Sequence, residues 1–122
     1  MLNKSILVVD DEAIVRESIR DWLKDAGYQV STAGSGEEAV EMIHREDFGI
    51  IIVDVRLPGM NGIKLLQEVK RVKPEIKSIV ITAYPTAEYA TEARRLGAID
   101  YLIKPVVPDE LEDLIKETLD KF

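Results

Sequence analysis

Polar side chains stand at the four points where short apolar runs stop. Asp10, Asp11 and Glu12 follow Ser5-Ile6-Leu7-Val8-Val9, Asp54 follows Ile50-Ile51-Ile52-Val53, Thr82 follows Ser78-Ile79-Val80-Ile81, and Lys104 follows Ile99 to Ile103. A carboxylate at the end of an apolar strand is costly unless something compensates its charge. If the first and third runs are neighbouring strands about 4.8 Å apart, Asp10, Asp11 and Asp54 converge, and three clustered carboxylates repel one another strongly. A divalent cation relieves that conflict. The chain has no cysteine and a single His44 far along a helix, so only oxygen ligands are on offer, which points to Mg2+ or a similar hard cation. Thr82 and Lys104 bring a hydroxyl and an ammonium to the same rim. That arrangement suits a phosphoryl group, with Asp54 in position to attack phosphorus.

These residues need elements to carry them, and the spacing of apolar positions supplies a set. Ser5 to Val9 reads as a first strand, and Val15, Ile19, Trp22, Leu23 and Ala26 recur at helical spacing before Gly27 ends the helix. Tyr28 to Ala33 is a second strand. Ser35 with Glu38 has the spacing of a capping box, and the helix behind it turns Ala39, Met42 and Ile43 inward. Ile50 to Asp54 is a third strand with apolar residues on both faces, after which Gly59 to Gly62 makes a turn. Leu65, Leu66, Val69 and Val72 mark a third helix that Pro74 cannot continue. Ser78 to Ala83 is a fourth strand. The fourth helix, about Thr86 to Leu96, offers Ala87, Tyr89, Ala90, Ala93 and Leu96 to the core; alanines bury few methylenes, so this helix is expected to be the mobile one. Ile99 to Ile103 is a fifth strand, and Pro108-Asp109-Glu110 opens a last helix with Leu111, Leu114, Ile115, Leu119 and Phe122 inward.

Strand and helix alternate five times, which implies an α/β fold: a doubly wound, five-stranded parallel sheet with helices on both faces. The strand order 2-1-3-4-5 is taken over from the flavodoxin-like pattern of such sheets. The 122 residues fit one domain, 1–122. Sixteen Lys plus Arg against 23 Asp plus Glu give a net charge of −7, which argues against direct nucleic-acid binding. No apolar run approaches the roughly 20 residues of a membrane span, and residues 1–4 lead into a strand rather than a signal peptide. A cytoplasmic location is the expectation.

The chain resembles the receiver domain of bacterial two-component response regulators, the CheY-like fold. The likeness rests on Asp10-Asp11, on Asp54-Val55-Arg56-Leu57-Pro58-Gly59-Met60-Asn61-Gly62, on Thr82-Ala83 and on Tyr101-Leu102-Ile103-Lys104-Pro105, in that order and each after its own strand. It implies that Asp54 accepts a phosphoryl group from a phosphohistidine of a sensor histidine kinase. It implies further that Asp11, Asp54 and the backbone carbonyl of Arg56 ligate Mg2+, that Asp10 acts through water, and that Thr82 and Lys104 bind the phosphoryl oxygens. Thr82 and Tyr101 would form the switch, Tyr101 turning inward, and Lys104-Pro105 would be a cis peptide. The face of the fourth helix, fifth strand and fifth helix would then act on an output domain or a downstream protein. Such a protein is not an enzyme beyond its own phosphorylation and dephosphorylation. Homodimerisation on phosphorylation stays open, since the last helix lacks the arginine-rich pattern of the winged-helix subgroup. The stretch from Thr82 to Pro105 is similar to receivers of transcriptional activators.

Taken singly, these residues have plainer roles. Asp10 and Asp11 could cap a helix, Thr82 could end a strand, and Tyr101 could be an ordinary strand former. Ile14 lies off the buried stripe beside the proposed site, as ordinary surface or as a kinase contact. Arg56 and Tyr84, two residues after Asp54 and Thr82, are expected to tune the lifetime of a phosphoaspartate. A haloacid dehalogenase-type phosphatase would carry an acid where Arg56 stands. A flavodoxin-like FMN carrier would need free backbone donors where Asp10-Asp11-Glu12 would repel phosphate. A scaffold that works without phosphorylation is the third rival.

Overall fold

The computed structural model describes residues 4–121. The elements alternate as expected: β1 (Ser5–Val9), α1 (Ala13–Asp25), β2 (Gln29–Ala33), α2 (Gly36–Arg45), β3 (Ile50–Asp54), α3 (Gly62–Val72), β4 (Lys77–Thr82), α4 (Ala87–Arg95), β5 (Ala98–Ile103) and α5 (Pro108–Lys121). The five strands are parallel in the order β2-β1-β3-β4-β5. β1 and β3 lie inside the sheet and are covered on both faces, which is why nearly every residue of either is apolar and buried.

Alternation of side chains divides the core into two halves. Leu7, Val9, Ile51, Val53 and Val80 face α2, α3 and α4, where they meet Ala39, Ile43, Leu65, Leu66, Val69 and Ala93. Ile6, Val8, Ile50, Ile52, Ile79 and Ile81 face α1 and α5, where they meet Ile19, Leu23, Leu111 and Ile115. Strand register then aligns the carboxyl ends: Val9 lies beside Val53, Asp54 beside Ile81, and Thr82 beside Ile103.

Several local expectations are corrected. Tyr28 belongs to the turn, because its N–H closes the end of α1 on the Leu23 carbonyl at 3.1 Å. Ala26 follows α1 as its C-terminal cap and is exposed, and Gly27 takes a φ of +98°, open to glycine at little cost. β4 starts at Lys77 and stops at Thr82, so Ala83 lies outside it, while β5 starts one residue early at Ala98. Ala87 is exposed rather than inward, and in α4 only Ala93 is buried, with Tyr89, Ala90 and Leu96 half-buried. The capping box at α2 is shifted: Ser35 Oγ accepts the Glu38 N–H at 3.1 Å, but the Glu38 carboxylate accepts from Gly34, at 2.7 Å. Residues 1–3 and Phe122 lie outside the described residues.

Candidate functional site

Each polar strand end is fixed by its own backbone. Asp10 is fully buried; its N–H donates to the Ala33 carbonyl at 3.2 Å, and its Oδ1 accepts the Glu12 N–H at 2.9 Å. Arg16 holds the Asp10 carbonyl from α1 at 2.8 Å. Asp54 is also buried, and its Oδ1 accepts the Arg56 N–H at 3.0 Å. The chain can turn there because the first residue of α3 is Gly62, where a Cβ would run into the Asp54 carbonyl oxygen and lie 2.6 Å from Val55 Cα. On the far side, the Lys104 N–H donates to the Thr82 carbonyl at 2.7 Å, tying the end of β5 to that of β4. The Lys104–Pro105 peptide bond is cis.

The Lys104 ammonium crosses the gap. Its Nζ is 2.8 Å from Asp54 Oδ2, 2.8 Å from Asp10 Oδ2 and 3.0 Å from Glu12 Oε1. Burial works against that charge, but the bonds to Asp10, Asp54 and Glu12 outweigh it and hold the lysine above its ordinary range. Burial likewise pushes the Asp10 carboxyl up, against the attraction of Lys104 and the Glu12 N–H, and the Asp54 charge adds to the rise.

One ammonium does not satisfy this cluster. Asp10, Asp11, Glu12 and Asp54 can place one carboxylate oxygen each within 4.8 Å of one another. The buried Asp10 Oδ2 has Lys104 alone as its partner, at 2.8 Å, among the described residues. Four carboxylates gathered beside one ammonium form an all-oxygen donor set that fits a hard divalent cation. Beside it lies a cavity of about 180 Å3 lined by Asp11, Glu12, Asp54, Arg56, Ala83, Tyr84 and Lys104.

Asp10, Asp11, Asp54 and Lys104 therefore meet as the sequence led one to expect. Thr82 is adjacent but does not line the cavity; it is fully buried and its Oγ1 accepts the Tyr84 N–H at 2.9 Å. Tyr101 is elsewhere, paired with Val80 in the sheet and facing a groove of about 340 Å3 with Ala90, Ala93, Arg94 and Ala98. Its hydroxyl is buried, without a hydrogen bond among the described residues. The alanines of α4 and β5 leave it that room. Two features escaped the sequence reading. Glu12 is a third carboxylate on Lys104, and the Arg56 guanidinium stacks on the Tyr84 ring, 4.2 Å from its centroid. The acidic run 10–12 was the available clue to the first, and the matching offset of two residues from Asp54 and Thr82 to the second.

The model of the response regulator receiver domain matches residues 6–116. The chain belongs to that family. As a receiver domain it is a component of two-component signal transduction. It is 40% identical over 121 residues to the transcriptional regulatory protein ZraR of Escherichia coli (strain K12), covering 96% of this chain but 26% of that protein. Against the sporulation initiation phosphotransferase F of Bacillus subtilis (strain 168) identity is 33%, with 98% of this chain and 96% of that protein covered. The CheY-like receiver domain of Methanospirillum hungatei JF-1 superposes with a TM-score of 0.94 at 35% identity, over 98% of this chain and 95% of the other. The response regulator TrrA of Thermotoga maritima, solved in complex with Mg2+-BeF, gives 0.84 at 34% identity, over 94% and 98%. The receiver domain thus spans about a quarter of the length of its ZraR relative. Among its described residues no helix is long and apolar enough to cross a membrane.

Proposed function

We propose that Asp54 is the phosphoacceptor of this receiver domain and that a sensor histidine kinase is the donor. The observation that carries the reading is a buried carboxylate at a strand end, 2.8 Å from a lysine ammonium, among carboxylates that can gather oxygens within 4.8 Å. Asp11, Asp54 and the Arg56 carbonyl would hold Mg2+, with Asp10 acting through water; TrrA, a relative of the same fold, was solved with that ion and a fluoroberyllate. When bound, the ion offsets the charge of the carboxylates and of the incoming phosphoryl oxygens. The transfer itself exchanges one bond for another. A carboxylate oxygen of Asp54 forms the O–P bond with its own lone pair, while the N–P bond of phosphohistidine breaks and leaves its electrons on the imidazole. No proton leaves Asp54. Lys104 and the Thr82 hydroxyl bind the oxygens of the transferred group. The only reaction promoted is the domain's own phosphorylation and hydrolysis.

Phosphorylation would then shift a population rather than create a new shape. Thr82, whose Oγ1 accepts the Tyr84 N–H, would shift to donate its own O–H to a phosphoryl oxygen, and Tyr101 would turn inward into the space released. The α4-β5-α5 face changes with it and acts on an output domain or partner; ZraR is itself a transcriptional regulatory protein. A Tyr101 ring whose populations are identical with and without beryllofluoride removes it from the switch. The stacked Arg56 and Tyr84 line the cavity and would tune the lifetime of the phosphoaspartate, so Arg56→Ala should alter its decay. Ile14, 81% exposed at the start of α1, would contact the kinase, and Ile14→Ala should slow phosphotransfer without unfolding the chain. The test of the whole reading is incubation with Mg2+ and acetyl phosphate. Wild type should gain one phosphoryl group by mass and Asp54→Asn none; no gain in wild type, or equal gain in both, refutes it.

A further inference from the structure

Glu12 sits at the N-cap of α1, where a short polar side chain would normally accept a hydrogen bond from the first turn. It makes no such bond. Its backbone N–H is pinned to Asp10 Oδ1 at 2.9 Å, and its carboxylate reaches across to Lys104 Nζ at 3.0 Å. The helix forgoes a cap, and the side chain is placed on the lysine of the phosphoacceptor site instead. Lys104 has three ammonium protons, and three carboxylates surround them.

We infer that Glu12 is a positioning residue that occupies Lys104 in the resting domain and yields it to the phosphoryl group. An entering oxygen needs one donor freed. Asp10 and Asp54 are buried, whereas the Glu12 side chain is 61% exposed, so it is the carboxylate for which solvent most readily offsets the loss of the ammonium. The latch therefore biases the resting site against anions, and phosphorylation releases Glu12 at the foot of α1. This rests on the phosphoacceptor reading, and it adds a carboxylate that competes for Lys104.

The test compares beryllofluoride binding at saturating Mg2+, followed by 19F NMR, in wild type, Glu12→Gln and Glu12→Asp. Both variants should bind about three- to tenfold more tightly at low ionic strength, and the gain should shrink at high salt because Glu12 is exposed. Aspartate keeps the charge but is too short to reach Lys104 and suits the cap, so Glu12→Asp should also raise the melting temperature. In metal-free protein, the Lys104 ammonium NMR signal should move in both variants. Unchanged or weaker beryllofluoride binding in Glu12→Gln overturns the proposal. Tightening in Glu12→Gln but not in Glu12→Asp also overturns it, because charge alone would then act. A loss of Mg2+ affinity by calorimetry in Glu12→Gln overturns it too, making Glu12 a metal ligand. Failure of wild type to bind beryllofluoride would instead refute the phosphoacceptor reading.

Discussion

α3 and α4 pack on the same face of the same sheet, yet they are held very differently. α3 buries Gly62, Leu65, Leu66 and Val69, and its N-cap Asn61 accepts the Lys64 N–H at 2.9 Å. α4 has a cap of the same kind, Thr86 accepting from Tyr89 at 3.1 Å, but buries Ala93 alone. Capping is thus equal and burial is not. The better-packed helix follows the turn after Asp54 and begins at Gly62, against the Asp54 backbone. The loosely packed helix lies beside Tyr101 and the edge strand β5. The function proposed above would use both: a site fixed well enough for chemistry and a face free enough to change.

That contrast can be broken by mutation. The largest effect should come from Gly62→Ala, whose Cβ would collide with the Asp54 carbonyl and Val55 Cα; overpacking against backbone should cost about 3 kcal/mol or more in urea unfolding. Leu65→Ala, on the same helix, should cost about 2–5 kcal/mol. Ala93→Gly on α4 should cost only about 1 kcal/mol. Equal losses at Leu65 and Ala93 would erase the distinction. Hydrogen exchange sharpens it: amides of α4 should open at lower free energy than those of α3.

A smaller effect tests how the two sides are joined. Lys104 ties β5 to Asp10 and Asp54, and its pKa is raised in the fold above the ordinary 10.5. A raised lysine contributes stability that is fully present below about pH 10.5 and is lost as pH rises through the folded value. The stability gap between wild type and Lys104→Met should therefore be constant near neutrality and narrow in strong alkali. A gap independent of alkaline pH would mean that the ion pairs do not stabilise the fold.

The order of elements was legible because β1, β3 and β4 are short apolar runs with a polar end, although β2 (Gln29–Ala33) has only a weak pattern. Asp10, Asp11, Asp54, Thr82 and Lys104 stand out by their strand-end positions together with the likeness to receiver domains; singly, Asp10, Asp11 and Thr82 have plainer readings. What stayed hidden depends on contacts between distant parts of the chain. Glu12 and Lys104 are 92 residues apart and meet only after five strands have paired in register. The role of Gly62 is invisible in a turn sequence, since only the fold shows that the Asp54 backbone passes where its Cβ would be. Ala87 was misplaced for a different reason: α4 is rich in alanine, so its apolar pattern has too little contrast to fix the buried face.

The central claim is that Asp54, and no other carboxylate of the cluster, takes the phosphoryl group. Borohydride reduces an acyl phosphate to the alcohol and so marks the phosphorylated aspartate as homoserine. After treatment with Mg2+ and acetyl phosphate, the mark should fall on Asp54 in the tryptic peptide 46–56. A mark on Asp10, Asp11 or Asp47, or none in a chain that binds Mg2+ and is folded, would contradict the account.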